Sequence, residues 1–143
     1  MRLIGFNFTK INMEKFKDRG KNLKISTKID IPEIKTIKPD FFKIKEEIIQ
    51  IKFSYNINYN PDIAKIELAG DLLLAVESKA VKDILKQWKD KEMSEDFRID
   101  LFNIILRKSS LKALQLEDEM NLPAHISLPF LKKEGQISEK KDK

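Results

Sequence analysis

Few residues in this chain could do chemistry. The only histidine, His125, sits in Leu122-Pro123-Ala124-His125-Ile126-Ser127-Leu128-Pro129. A catalytic histidine needs a nucleophile and an orienting acid within reach. Ser127 is its only adjacent candidate, and it lies in no nucleophile elbow. His125 therefore reads as structural. Two carboxylate runs, Glu46-Glu47 and Glu117-Asp118-Glu119, could pair as acid and base only inside a cleft that perturbs them. In so charged a chain they read as solvated faces. Cysteine is absent, which excludes thiolate metal sites and cysteine nucleophiles, and glycine numbers 4, which nearly excludes glycine-rich phosphate loops. The sequence points away from an enzyme, and no metal or cofactor is expected.

Charge tells a similar story. Of 143 residues, 28 are Lys or Arg and 23 are Asp or Glu, for a net charge of +5. That balance permits nucleic-acid binding. However, bases and acids alternate along the chain instead of forming a stripe, and no basic-aromatic RNA-binding signature appears. No apolar run reaches the length of a membrane span, and no targeting signal is visible, so a cytoplasmic protein is expected.

The elements that must position any site follow from periodicity. Ile4, Phe6 and Phe8 alternate with polar neighbours, then the apolar phase moves to Ile11 and Met13, which predicts a bulge near Thr9. Leu23, Ile25, Thr27, Ile29 and Ile31 alternate likewise. The polar stretch Lys17 to Asn22 between them suggests that strands one and two form a hairpin. Pro32 to Lys45, broken by Pro32 and Pro39 yet carrying Ile34, Ile37, Phe41 and Phe42, reads as a long apolar connection. A third strand places Ile49, Ile51, Phe53, Tyr55, Ile57 and Tyr59 on one face, and Asn60-Pro61-Asp62 turns the chain. A fourth carries Ala64, Ile66, Leu68, Leu72, Leu74 and Val76, and is apolar on both faces at its end, where Leu73 and Ala75 oppose the main stripe.

Beyond Val76 the period changes to that of a helix. Ala80, Val81, Ile84, Leu85 and Trp88 follow Ser78, a candidate N-cap. Ser94 caps a second helix through Phe97, Leu101, Ile104 and Ile105, with Ser109-Ser110 a possible break. Leu122 to Leu131 should be extended. The fold class is thus α+β: a four-stranded antiparallel sheet with two C-terminal helices packed on one face. Residues 1–134 form one domain, and 135–143 a charged flexible tail. Two helices cannot cover all the apolar surface, so the greasy 32–45 connection becomes a candidate wall for binding apolar polypeptide.

In this order of elements the chain resembles the SecB-like protein-export chaperones. Phe8-Thr9-Lys10-Ile11-Asn12-Met13-Glu14 is similar to the family's first-strand motif, Tyr-x-Lys-Asp-x-Ser-Phe-Glu, with its Asp and Ser-Phe out of register. Pro32 to Lys45 corresponds to the family's crossover loop, and Leu122-Pro123 with Pro129 to its Phe-Pro-x-x-x-x-x-Pro segment. The resemblance implies an ATP-independent holdase, assembled as a homotetramer from a dimer of dimers, that keeps unfolded or precursor proteins in apolar grooves. By position the groove residues are Leu23, Ile25, Ile29, Ile31, Ile34, Ile37, Phe41 and Phe42. Familiar members are acidic and hand clients to a translocation motor. This chain is basic, with Lys132, Lys133, Lys140, Lys141 and Lys143 near its end. A chaperone dedicated to one client, such as an antitoxin, or a structural subunit with a fixed partner, therefore stands as the alternative to export.

Overall fold

The turn at Asn60-Pro61-Asp62 folds the two most apolar stretches onto each other. A computed structural model describes residues 1–18, 22–37 and 46–133, and the backbone of 137–139. Strands β3 (Glu46–Asn60) and β4 (Ala64–Glu77) pair antiparallel from Glu46↔Glu77 to Tyr59↔Ala64 without a register shift. Side chains alternate across a strand, so this register gathers Ile49, Ile51, Phe53, Tyr55, Ile57 and Tyr59 with Ile66, Leu68, Leu72 and Leu74 on one face. All ten are at most 1% exposed.

The outer strands attach differently from the sequence expectation. The sheet order is β1-β4-β3-β2, with β1 (Arg2–Lys15) on β4 and β2 (Lys24–Ile37) on β3. Strands one and two lie at opposite edges and do not form a hairpin. Lys15 sits opposite Ala64 and Lys24 opposite Asn60, so the facing ends of β1 and β2 both lie at the β3–β4 turn. The backbone N–H groups of Phe16 and Lys17 both donate to the Ile63 carbonyl, at 2.7 and 3.2 Å. A polar stretch signals that the chain turns, but not which strand it returns to. The most apolar pair takes the centre, where both neighbours help bury it.

β1 does bulge at Thr9: Phe8 pairs with Gly70 and Lys10 with Ala69. Gly70 is required there, because a Cβ would lie 2.0 Å from the Asn7 carbonyl oxygen. Phe8 and Phe53, the partners of Gly70 on either side, hold their rings 6.1 Å apart, and Phe6 stacks within 5.1 Å of both.

Pro32 also corrects the expectation. It does not end β2, which runs on to Ile37 with Ile34 opposite Ile51. The β2–β3 register shifts between Asp30 and Glu33, so Pro32 sits at a bulge on an edge strand, where its missing N–H leaves no ladder bond broken. Ile34 and Ile37 are strand residues, not part of a connection. Phe41 and Phe42 lie outside the described residues.

Two helices cover the apolar face. α1 (Ser78–Lys89) seats Val81 and Ile84 on the sheet. Its N-cap is Glu77, and Ser78 is the first helical residue. α2 (Glu95–Glu119) starts as expected, with Ser94 Oγ accepting from the Phe97 N–H at 3.4 Å. It does not break at Ser109-Ser110. Leu101, Ile105, Ser109, Ala113 and Glu117 form one buried stripe at four-residue spacing, and the small Ser109 and Ala113 let the helix approach the sheet. Ser110 hydrogen-bonds Tyr55. After α2, β5 (Pro129–Leu131) pairs with β6 (Ile137–Glu139), which falls within the expected tail.

The other sheet face carries no helix among the described residues. Ion pairs run across it, Lys52 to Glu33 at 3.1 Å and both Lys10 and Lys65 to Glu67 at 2.6 and 3.1 Å.

Candidate functional site

The bulge in β2 leaves Ile31 and Pro32 out of the β2–β3 ladder and bends the sheet edge. Facing it, α1 ends in a tight turn. Asp90 is the C-cap, Lys91 takes φ 58°, and the N–H groups of Glu92 and Lys91 donate to Gln87 and Trp88 carbonyls at 2.8 and 3.1 Å. This Schellman arrangement fixes the path from α1 into α2. It places Trp88 and Met93 on either side of the turn, with Arg98 and Phe102 four residues apart on α2.

Between these elements lies an open groove of about 600 Å³. Ile29, Ile31, Trp88, Met93 and Phe102 form its apolar walls, and all five are half-buried. Lys89, Lys91, Arg98 and Asp30 stand exposed at its rim. Asp30 is engaged by Lys28 at 3.6 Å. Among the described residues no carboxylate pairs with the three rim cations. The groove can take up bulky apolar side chains in a positive field.

Of the residues assigned to a groove from sequence, Ile29 and Ile31 line this one. Leu23, just before β2, and Ile25 at its start pack with Leu116 and Met120 against the buried cluster of Tyr55, Ile57 and Tyr59. Ile34 is 4% exposed within the core, and Ile37 is exposed at the strand end. Sequence reasoning missed Met93 and Phe102, and placed Trp88 only on a buried helix stripe. The signal for Phe102 is its i, i+4 spacing from Arg98 on α2, and for Met93 its place as the one apolar residue of a charged helix–helix turn.

His125 lies elsewhere, and its surroundings correct the reading of Glu117 as part of a solvated face. Glu117 is the last residue of the buried α2 stripe, 1% exposed. Its two carboxylate oxygens lie 2.9 and 2.8 Å from His125 Nδ1, and Oε1 also accepts from the His125 backbone N–H at 3.1 Å. A carboxylate only accepts, so Nδ1 carries the proton. The other ring nitrogen, Nε2, is buried without a partner among the described residues, and so does not engage Ser127. Tyr55 packs edge-on to the imidazole with ring centres 6.2 Å apart. Burial raises the Tyr55 pKa, the Ser110 hydrogen bond opposes the rise, and the Glu117 charge adds to it. Tyr59 Oη donates to the Pro123 carbonyl, and Lys15 Nζ to the Met120 carbonyl at 3.0 Å. Together these bonds fasten the segment after α2 to helix and sheet.

Among the described residues no group of three or more His, Asp or Glu could hold a metal ion, and no helix is long and apolar enough to cross a membrane. No family model matches the sequence, and no curated protein matches it. Among solved structures, the chain is similar to the SecB-like chaperone Rv1957 of Mycobacterium tuberculosis, in complex with a ChAD peptide from the HigA1 antitoxin. The likeness covers 92% of this chain and 91% of that one, with a TM-score of 0.50 and 12% identity. The chain has the SecB-like fold.

Proposed function

We propose that this protein is an ATP-independent chaperone that binds unfolded or precursor polypeptides as extended apolar segments. The observation that carries the reading is the groove of about 600 Å³ with Ile29, Ile31, Trp88, Met93 and Phe102 around it, on a fold shared with a chaperone solved in complex with an antitoxin peptide. Client binding would bury apolar surface at about 25 cal/mol per Å², and ordering the client would offset part of that gain. The client path runs from Leu23, just before β2, past Ile25, Ile29 and Ile31 of that strand, with Ile34 beneath it in the core, Ile37 at the strand end, and Phe41 and Phe42 next in sequence. Residues 1–134 act as one cytoplasmic chaperone domain, without catalysis, in a homo-oligomer built as a dimer of dimers. Ile99 and Leu106, exposed and seven residues apart on α2, support a helix-mediated contact between copies. Grooves on several copies would then act on one client through effective concentration.

Dedication to one client, such as an antitoxin, competes with service to protein export. The neighbour's antitoxin peptide and the net charge of +5 favour dedication.

The test is titration of a permanently unfolded, apolar-rich polypeptide at about 150 mM salt, where exposed charge contacts beyond about 8 Å are screened. Trp88 is the only tryptophan and lines the groove, so its emission reports binding. Saturable binding that survives added salt and falls in Phe102→Ser is expected. No binding by a folded protein defeats the reading.

A further inference from the structure

We infer that the groove between the β2 bulge and the α1–α2 turn selects acid-flanked apolar anchors: extended segments with a bulky apolar side chain and Asp or Glu two residues away. This inference rests on the chaperone reading above and gives the client its chemistry.

Charge complementarity carries the argument. The walls are apolar, but three cations, Lys89, Lys91 and Arg98, stand around the opening. On the polar sheet face Lys10, Lys52 and Lys65 are engaged by carboxylates, while Lys24 and Lys35 have no carboxylate partner among the described residues. The one acid at the groove, Asp30, is turned to Lys28 at 3.6 Å. Asp90 and Glu92 alternate with Lys89 and Lys91 in the turn but do not line the groove. The lining itself therefore carries net positive charge, beside an apolar surface where an ion pair is screened less than in bulk solvent.

Geometry fixes where the acid belongs. Lys91 is held at φ 58° by the Schellman turn, a conformation that glycine adopts more readily. Its cation thus stands on a fixed turn and not on a loose tail. Arg98 and Phe102 are neighbours on one face of α2, about 6 Å apart between their Cβ atoms. An extended chain rises about 3.3 Å per residue. A client side chain lodged against Phe102 therefore brings the residue two positions away beneath Arg98. Asp or Glu there gains a guanidinium partner, whereas Lys or Arg meets repulsion.

Three short peptides, each with one Phe anchor and Asp, Ser or Lys two residues from it, test this by Trp88 emission. At about 50 mM salt the Asp peptide is expected to bind about tenfold tighter than the Lys peptide. The gap should shrink below about threefold at about 500 mM. Lys91→Gly removes a rim cation while suiting the turn. It should keep its thermal midpoint and narrow the gap between Asp and Lys peptides about threefold. If all three peptides bind equally, or the Lys peptide binds best, the inference falls and the chaperone reading stands. If none binds while an unfolded apolar protein does, the inference also falls. If neither peptides nor unfolded protein bind, both fail.

Discussion

His125 Nδ1 lies within 2.9 Å of both carboxylate oxygens of Glu117, and each side chain is 1% exposed. This pair joins the last turn of α2 to the segment that follows. Asn121 at φ 55° reverses the chain, the Leu122 N–H donates to the Glu117 carbonyl at 2.8 Å, and His125 then folds back onto the same residue's side chain. Replacing His125 with Ala leaves a buried carboxylate without its ring partner. The expected cost is about 3 kcal/mol in urea unfolding. Replacing both members by apolar residues of similar volume should cost less than either single change. A single-mutant loss below about 1 kcal/mol would show that the pair fastens nothing.

Gly70→Ala should be the most damaging small substitution in the sheet. Its Cβ would sit 2.0 Å from the Asn7 oxygen and 2.9 Å from Phe8 Cα, both backbone atoms that the β1 bulge holds in place. A loss of about 3 kcal/mol or more is expected, enough to detach β1. Gly5→Ala is the control. There the nearest atom is Leu73 Cδ1 at 3.6 Å, an ordinary contact. Its thermal midpoint should stay near the parent's.

Ser109 Oγ is buried and has no hydrogen-bond partner among the described residues. Ser109→Ala keeps the close helix–sheet approach, removes the unsatisfied hydroxyl and improves helix propensity. Stability should rise by about 1 kcal/mol, read from the denaturation midpoint. A fall would mean that the hydroxyl does have a partner.

Tyr55 sets an alkaline limit. Its folded-state pKa is raised above 10.0, chiefly by burial. At pH values above the unfolded pKa, the unfolded chain releases this proton while the folded chain keeps it. Stability contributed by the neutral phenol is therefore full below about pH 10 and declines above it, by about 1.4 kcal/mol per unit at most. Tyr55→Phe should flatten that decline between about pH 10 and 12. An unchanged slope would place the titration elsewhere.

Much of this architecture was legible in the residues. Ile49 to Tyr59 and Ala64 to Val76 alternate so regularly that their register follows from burying one face. The phase change from Phe8 to Ile11 marked the bulge at Thr9 without any pairing information. Other features were hidden by residues that carry two meanings. Pro32 usually ends a strand, but an edge bulge accommodates it. Ser109-Ser110 resembles a break, but small side chains also serve a helix pressed against a sheet. Glu117 looked solvated because its partner is a histidine beyond the end of the helix, although it continues the stripe of Leu101 and Ile105. The groove was legible only on its β2 side, at Ile29 and Ile31. Trp88, Met93 and Phe102 belong to different elements, and a turn with Lys91 at positive φ brings them together.

The strand order β1-β4-β3-β2 also bears on how the chain folds as it is made. β3 and β4 are neighbours in sequence and can pair locally, and β2 can join them at once. β1 is synthesised before the other three strands, but every partner it has, from Ala64 to Ala75, belongs to β4. Its pairing has high contact order and comes late. Until β4 emerges, Ile4, Phe6, Phe8, Ile11 and Met13 form an unpaired apolar strand of the kind prone to aggregation. The holdase proposed here would thus expose, while it is being made, the same kind of strand it is proposed to shield.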